Sequence, residues 1–217
     1  MPMMEIGIIK QKENCMNSNN TPSILNRILP ILERFCHLGE EITTNKARLI
    51  GHIPYRGRLA YLHEIYTPVI LDEFKKLEDK LKRNVPEVYK QLLFETNGLS
   101  IFWGTLSLSG YVFLAHRELD YSQARDLVIP NIDERPRDAD DSFFFFGFYQ
   151  QDGSGVYLDE KDGKIYRHVR YHSKQILNIW PDFETFLVSE VERLNILFND
   201  EGRQIDVSIP TVPLSMG

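Results

Sequence analysis

The sequence predicts an α+β protein with a central, mainly antiparallel, twisted sheet flanked by helices and an N-terminal helical extension. Two segments with apolar residues at helical spacing precede a series of short strand-like segments that glycines separate. Phe143–Tyr149 is continuously apolar, which predicts a strand covered on both faces and therefore central in the sheet. A last helical pattern follows these strands. The 217 residues are enough for one domain with a full hydrophobic core.

The N-terminal part of the chain shows the weakest pattern. Residues 1–20 are polar and aperiodic, which predicts a flexible leader. Residues 21–67 are predicted to form an N-terminal extension, beginning with a helix that starts at Thr21-Pro22 and kinks or restarts at Pro30. The rest of the extension is predicted to be an irregular arm with one helical turn near Leu59–Tyr66.

Residues 68–200 are predicted to form the α+β domain, and residues 201–217 an extended C-terminal tail. Tyr121–Ile129 fits a helix or a loop, and the Pro- and Asp-rich Asn131–Ser142 is typical of a surface loop. The remaining predicted elements, in order, are helices at Pro68–Arg83 and from Pro86 to Asn97-Gly98, strands at Leu99–Trp103, Thr105–Leu108, Tyr111–Ala115, Phe143–Tyr149, Val156–Leu158 and Lys164–Val169, and a helix from Pro181 to Gly202.

Composition places the chain among soluble globular proteins, at 42% hydrophobic and 26% charged residues. No apolar run reaches the ~18–20 residues of a membrane span, and the N-terminus carries no secretory signal pattern. The two cysteines, Cys15 and Cys36, form no C-x-x-C pair. We therefore expect a cytoplasmic protein that does not contact a membrane.

The negative charge is concentrated in one window. Residues 131–162 contain nine acidic and three basic residues, a net charge of −6 that equals the charge of the whole chain. Either this window is a solvated loop, or it is an electronegative patch that attracts a basic partner. Nucleic-acid binding is not expected, because the chain has no basic stripe.

The sequence shows no group of residues that indicates catalysis or metal binding. His168 and His172 are four residues apart on a predicted strand and its exit, where they point in different directions. Ser154 lacks the G-x-S-x-G context of a nucleophile, and the acidic run Asp138–Asp141 lacks the later Gly and Glu of a calcium loop. We expect no catalytic residue, no cofactor and no metal.

Two blocks of sequence form a recognisable pattern. The first is a helix ending in Leu-Glu, then an apolar residue with Pro, a Tyr and a terminal Asn-Gly. Its residues here are Leu77-Glu78, Val85-Pro86, Tyr89, Leu92-Leu93 and Asn97-Gly98; the second block comprises Phe146-Gly147, Asp152-Gly153, Gly155–Asp159, Asp162–Tyr166 and Asp182–Leu187. Over about residues 69–195 the chain therefore resembles the SUKH superfamily, which includes bacterial immunity proteins and the yeast cell-wall assembly regulators. The polar Lys82-Arg83-Asn84 departs from the Gly and apolar residue that members often carry there.

The resemblance implies a protein-binding module and not an enzyme. Our first hypothesis is an intracellular immunity protein that occludes a toxin, often of the nuclease type, whose basic groove an acidic surface would match. The candidate partner-binding residues are Asp133, Glu134, Asp138, Asp140, Asp141, Trp103 and Tyr111, the two aromatic residues as anchors. The alternative is a regulatory interaction module of the cell-wall regulator type, a branch that tends to carry longer disordered flanks. A hydrolase with an unrecognised site is a third hypothesis.

Overall fold

Nine strands and four α-helices lie in the residues that this computed structural model describes, 23–112 and 122–215. The helices are α1 (Ile24–Glu33), α2 (Leu71–Leu81), α3 (Glu87–Glu95) and α4 (Phe183–Leu197). The strands are β1 (Glu40–Ile42), β2 (Arg48–His52), β3 (Tyr61–Ile65), β4 (Leu99–Ile101), β5 (Leu106–Leu108), β6 (Phe143–Tyr149), β7 (Gly155–Asp159), β8 (Ile165–Val169) and β9 (His172–Trp180). Each strand pairs antiparallel with the next along the chain, in one sheet ordered β1 to β9. The predicted α+β class, with its antiparallel sheet and N-terminal helix, is confirmed.

Strand β6 is an inner strand of this sheet, as its continuous apolar sequence predicts. It pairs with β5 on one side and β7 on the other. Phe144 and Phe146 point to the face that the helices cover, where their rings contact Tyr89 of α3. Phe143 and Phe145 point to the opposite face and pack with Tyr157 of β7. Both faces of β6 are therefore buried.

Residues 40–65 contain three strands of the same sheet, so the predicted irregular arm and the helical turn near Leu59–Tyr66 are wrong. Strand β3 pairs with β2 and β4, and it is buried along most of its length because Leu62 and Ile65 pack in the main core. A short strand buried on both faces shows no alternation, and periodicity alone does not separate it from a helical turn.

Other differences from the predictions concern the ends of elements. Helix α1 begins after Ser23, whose hydroxyl accepts the Asn26 amide at 3.3 Å, and it continues through Pro30. Thr21-Pro22 lies outside the described residues. Tyr111 and Val112 are not in a strand, and the rest of that predicted strand is also outside the described residues.

The last helix is shorter than predicted at its C-terminal end. It is capped by Asp182, whose carboxylate accepts the Thr185 amide at 2.7 Å, and it ends at Leu197, five residues before the predicted stop. Gly202 instead closes a turn in which its amide donates to the Asn199 carbonyl. Strand β9, which the sequence did not predict, is mostly exposed and has no clear alternation.

The Asn97-Gly98 pair does more than end α3. Gly98 has a φ of +82°, and a Cβ there would lie 2.4 Å from the Leu108 carbonyl oxygen. The buried Asn97 side chain accepts the Tyr111 amide at 2.6 Å and donates to the Tyr111 carbonyl at 2.7 Å. The pair therefore fixes the segment after β5 to the end of α3, which explains why these two residue types are needed together.

Candidate functional site

The acidic loop, residues 131–142, lies on the face of the sheet opposite the helices. It begins in a π-helical turn, Ile129–Asp133, and the buried Asn131 side chain donates to the Phe145 carbonyl at 2.7 Å and accepts the Phe145 amide at 3.0 Å. Arg135 donates to the carbonyls of Phe143 and Asp140 at 3.0 and 2.6 Å. These contacts hold the loop against the aromatic cluster of β6 and β7.

Two of the five predicted acidic residues make internal contacts. The Asp138 carboxylate accepts hydrogen bonds from the amides of Ser173 and Lys174 in β9, at 2.9 and 3.1 Å. Although partial burial acts in the opposite direction, these bonds lower the pKa of Asp138 to about 2. Asp140 pairs with Lys174 at 2.9 Å and with Lys161 at 3.4 Å, and these contacts lower its pKa.

The other three predicted acidic residues, Asp133, Glu134 and Asp141, are exposed. Within the described part of the chain their carboxylates form no ion pair. Elsewhere in the window, Asp152, Glu160 and Asp162 pair with basic side chains that the linear window does not contain: Arg167, Arg83 and Lys164. The surface charge is therefore smaller than the window's −6. Asp133, Glu134 and Asp141 carry the part of the acidic loop's charge that no ion pair within the described residues holds, although Asp141 also acts on Arg135 of the same loop.

Trp103 lies in the turn between β4 and β5 and is 39% exposed. Its φ is +58°, and that of the preceding Phe102 is +48°, an uncommon conformation for residues with large side chains. The turn is held to β3, since the Trp103 amide donates to the Leu62 carbonyl at 2.7 Å and the Phe102 amide to Nδ1 of His63 at 3.3 Å. Tertiary contacts therefore stabilise a strained turn that presents an indole ring to solvent.

Tyr111, the second predicted anchor, is buried at 5% exposure. Its ring lies under the ammonium group of Lys80 of α2, 4.7 Å from the ring centroid. The structure thus places Tyr111 among the packed residues next to Asn97, whereas Trp103 lies at the surface.

Two adjoining clefts connect Trp103 with the acidic loop. The first, about 370 Å³, lies between the loop and the sheet, with Glu134 in its wall. The second, about 360 Å³, has Trp103 in its wall. Gln150, in the turn after β6, lines both clefts. The wall of the first cleft also carries Arg125 and Arg170, so this surface is mixed in charge rather than uniformly acidic.

No group of three or more His, Cys, Asp or Glu residues within 23–112 and 122–215 is arranged to hold a metal ion. His168 is buried, and its Nδ1 contacts the Val169 carbonyl at 2.8 Å, while His172 is exposed at the start of β9. The same described ranges contain no helix with the length and apolar character needed to cross a bilayer.

A family model for SMI1 / KNR4 (SUKH-1) matches residues 68–189, more than half of the chain. The chain belongs to the SMI1/KNR4 family. No curated protein gives a significant match. The SMI1/KNR4 match includes the acidic loop, Trp103 and the strands β6, β7 and β8, which contribute residues to the first cleft. Strands β1 to β3 and the residues after the middle of α4 lie outside the match, although β1 to β3 belong to the same sheet. Family membership supports a protein-interaction module.

Sequence reasoning missed a set of buried polar residues that this SMI1/KNR4 chain uses internally. Arg167 is 2% exposed, and its guanidinium contacts Ser154, Asn178 and Asp152. Hydrogen bonds from Ser154 and Arg167 lower the pKa of Asp152, although its partial burial opposes them. An arginine is rarely buried, and nothing in the linear pattern around Arg167 distinguishes it from the exposed Arg170.

Proposed function

We propose that this SMI1/KNR4 protein is a non-enzymatic immunity protein that acts in the cytoplasm by binding and occluding a basic toxin domain, commonly a nuclease. The observation that carries the proposal is the pinned acidic loop with Asp133, Glu134 and Asp141 exposed and without ion-pair partners in the described residues. A nuclease groove is basic because it binds phosphates, and an acidic loop held on a rigid sheet would compete for the same charges.

The second element of the proposed interface is Trp103. A half-exposed indole in a rigid turn supplies apolar contact area at a small cost in conformational entropy, and tryptophan is enriched among interface residues that carry binding energy. The acidic residues would accelerate encounter, and Trp103 would slow dissociation once the complex has formed. The adjoining clefts allow one partner to contact both.

The experiment is capture of partners from the native cell lysate with the tagged full chain, at low and at moderate salt, read by mass spectrometry. We expect one stoichiometric partner with a basic domain, captured less efficiently as salt rises. Purified partner and full chain should then form a complex that blocks the partner's toxic activity. A cell-envelope or signalling partner would instead support the regulatory module that the family also includes.

Capture is repeated with a chain in which Asp133, Glu134 and Asp141 are changed to Lys. The matched control changes three exposed acidic residues on other elements, Asp79, Glu192 and Glu201, in the same way. Loss of the partner with the first variant and retention with the second supports the acidic loop as the contact. Equal capture by both variants would contradict it.

A further inference from the structure

Four residues of the C-terminal segment, Thr211–Leu214, lie along a groove of polar side chains; we call these four residues the strap. The groove is formed by side chains from the turn after β6, from β8, from β9 and from α4, namely Gln151, Arg167, Asn178 and Arg193. Each of the four hydrogen-bonds to the strap. The strap therefore occupies a groove to which four separate parts of the fold contribute.

The groove binds mainly backbone atoms. Gln151 accepts the amide of Thr211 at 2.6 Å, and Arg193 donates to the carbonyl of the same residue at 2.7 Å. Further along, Arg167 donates to the Pro213 carbonyl at 2.6 Å and Asn178 to the Leu214 carbonyl at 2.7 Å. Backbone amides and carbonyls are common to all residue types, so these hydrogen bonds do not by themselves require the strap's own sequence.

Side-chain selectivity comes from three positions. The Thr211 hydroxyl donates to the Gln151 side chain at 2.8 Å. Pro213 is buried, and Val212 packs on the main hydrophobic core. Leu214 is 80% exposed, so its side chain adds little to the contact. Pro210 and Pro213 are three residues apart, a spacing typical of extended segments that bind with a small loss of conformational entropy.

The two arginines of the groove are held by contacts that do not involve the strap. Arg167 is held by Ser154 at 2.8 Å and by the Asn178 side chain at 2.9 Å, and its guanidinium lies over the Tyr149 ring. Arg193 is likewise held by the buried Glu190, at 2.7 Å. Preorganised donors lose little entropy when they bind a carbonyl. Three of the groove residues lie within the family match, whereas the strap lies beyond it.

We propose that this groove is a peptide-binding site that the strap occupies in cis, and that it takes in trans an extended segment of a partner protein with a proline at the position of Pro213. The proposal rests on the interaction role proposed above and adds a second contact of stated chemistry. Because the strap competes for the groove, the apparent affinity for a partner segment is the intrinsic affinity multiplied by the fraction of molecules in which the groove is open.

The test uses the full chain and a fluorescent synthetic peptide, Ile-Pro-Thr-Val-Pro-Leu-Ser, which copies residues 209–215. A strap-weakened chain carries Thr211→Gly and Pro213→Gly, which leave every groove residue in place. The matched control carries Val207→Gly and Ser208→Gly, which change exposed positions outside the strap. We expect the strap-weakened chain to bind the peptide about tenfold more tightly than the unmodified chain or the control, by fluorescence anisotropy.

Adding Asn178→Asp to the strap-weakened chain should abolish this gain, because the side chain loses the donor for the Leu214 carbonyl. A second measurement uses the unmodified chain alone: excess peptide should accelerate hydrogen exchange at the amides of Thr211 and Val212, which Gln151 accepts. If the strap-weakened chain fails to fold, this exchange measurement decides whether the groove binds the peptide.

Absence of peptide binding to a folded strap-weakened chain at about millimolar peptide, or unchanged exchange in the unmodified chain, would overturn the groove as a binding site. Neither result involves the acidic loop or a toxin. Failure of this proposal is therefore distinguishable from failure of the proposed function, which the capture experiment tests.

Discussion

Asp138 accepts two hydrogen bonds from Ser173, one from its amide and one from its hydroxyl, both at 2.9 Å. The two residues are 35 positions apart in the sequence, and this contact joins the acidic loop to the start of β9. The carboxylate is therefore part of the support that holds the loop in place, and the exposed charges of Asp133, Glu134 and Asp141 depend on that support for their positions.

We expect Asp138→Asn to lower the free energy of unfolding by about 1–2 kcal/mol, because the amide replaces an acceptor that the Lys174 backbone uses. The control is Asp133→Asn, at an exposed position, which should change stability by less than about 0.5 kcal/mol. Urea denaturation at neutral pH measures both. Equal stability of the two variants would show that the contact with β9 contributes nothing.

The same contact has a pH dependence of known sign. The pKa of Asp138 in the folded chain, about 2, lies below its ordinary value of 3.8, so the folded state favours the ionised form. Its contribution is complete above the ordinary value and is lost as the pH falls toward 2. The free energy of unfolding, measured from pH 5 to pH 2, should fall less steeply in Asp138→Asn than in the unmodified chain. A parallel fall would assign the acid sensitivity to other groups.

Charge reversal at Asp133, Glu134 and Asp141 should slow association with the captured partner by about tenfold or more at low salt, with a small change in the dissociation rate. Long-range attraction acts before contact, so its loss appears in the association rate. Stopped-flow mixing at several salt concentrations measures it, and the salt dependence should become shallower. Unchanged kinetics would remove the loop from the interface.

The variant Trp103→Asn should weaken partner binding without lowering the stability of the fold. Asparagine tolerates a positive φ better than tryptophan, so we expect the variant to be as stable as the unmodified chain or up to about 1 kcal/mol more stable. Loss of the indole should nevertheless weaken partner binding by about 2 kcal/mol through faster dissociation. Thermal unfolding and surface plasmon resonance measure the two quantities. Unchanged affinity would exclude Trp103 as an anchor.

We expect a second pH-dependent loss of stability from His63, in a higher pH range than that of Asp138. Full burial lowers its pKa to about 3 from an ordinary 6.5, so the folded state favours the neutral ring. Stability is therefore complete above the ordinary value and falls as the pH drops from there toward 3, by at most about 1.4 kcal/mol per pH unit.

His63→Asn keeps an acceptor for the Phe102 amide and removes the titration. We expect the pH dependence of unfolding between pH 6.5 and pH 4 to be shallower in this variant. Burial also lowers the pKa of His168, so part of the slope should persist. His172→Asn, at an exposed position of β9, is the matched control. An identical slope in all three chains would contradict the assignment to His63.

Sequence patterns predicted the elements whose signal is local. Helices α2 and α3 lie within or close to their predicted limits because apolar spacing and a proline at the helix start depend only on neighbouring residues. Strand β6 was predicted with its observed limits, since seven consecutive apolar or glycine residues must be covered on both faces. The acidic residues were found because charge can be counted without knowing the fold.

The tertiary structure was needed to identify strands β1, β2, β3 and β9. It was also needed to show whether each candidate residue is exposed, buried or paired. β3 is stabilised by pairing with β4, whose partner residues lie more than thirty positions away, and β9 is an edge strand with a mixed face. Sequence treated all five acidic side chains of the loop alike, whereas the structure uses Asp138 and Asp140 internally.

The sequence by itself therefore determined the fold class, the family blocks and the overall charge of the loop, because these depend on local spacing and composition. The tertiary structure alone decided which charges are free, that Trp103 is exposed while Tyr111 is buried, and that the strap lies in a groove built around Arg167. The physical reason is that burial and ion pairing are set by residues distant in sequence, and a residue's type does not reveal its partner.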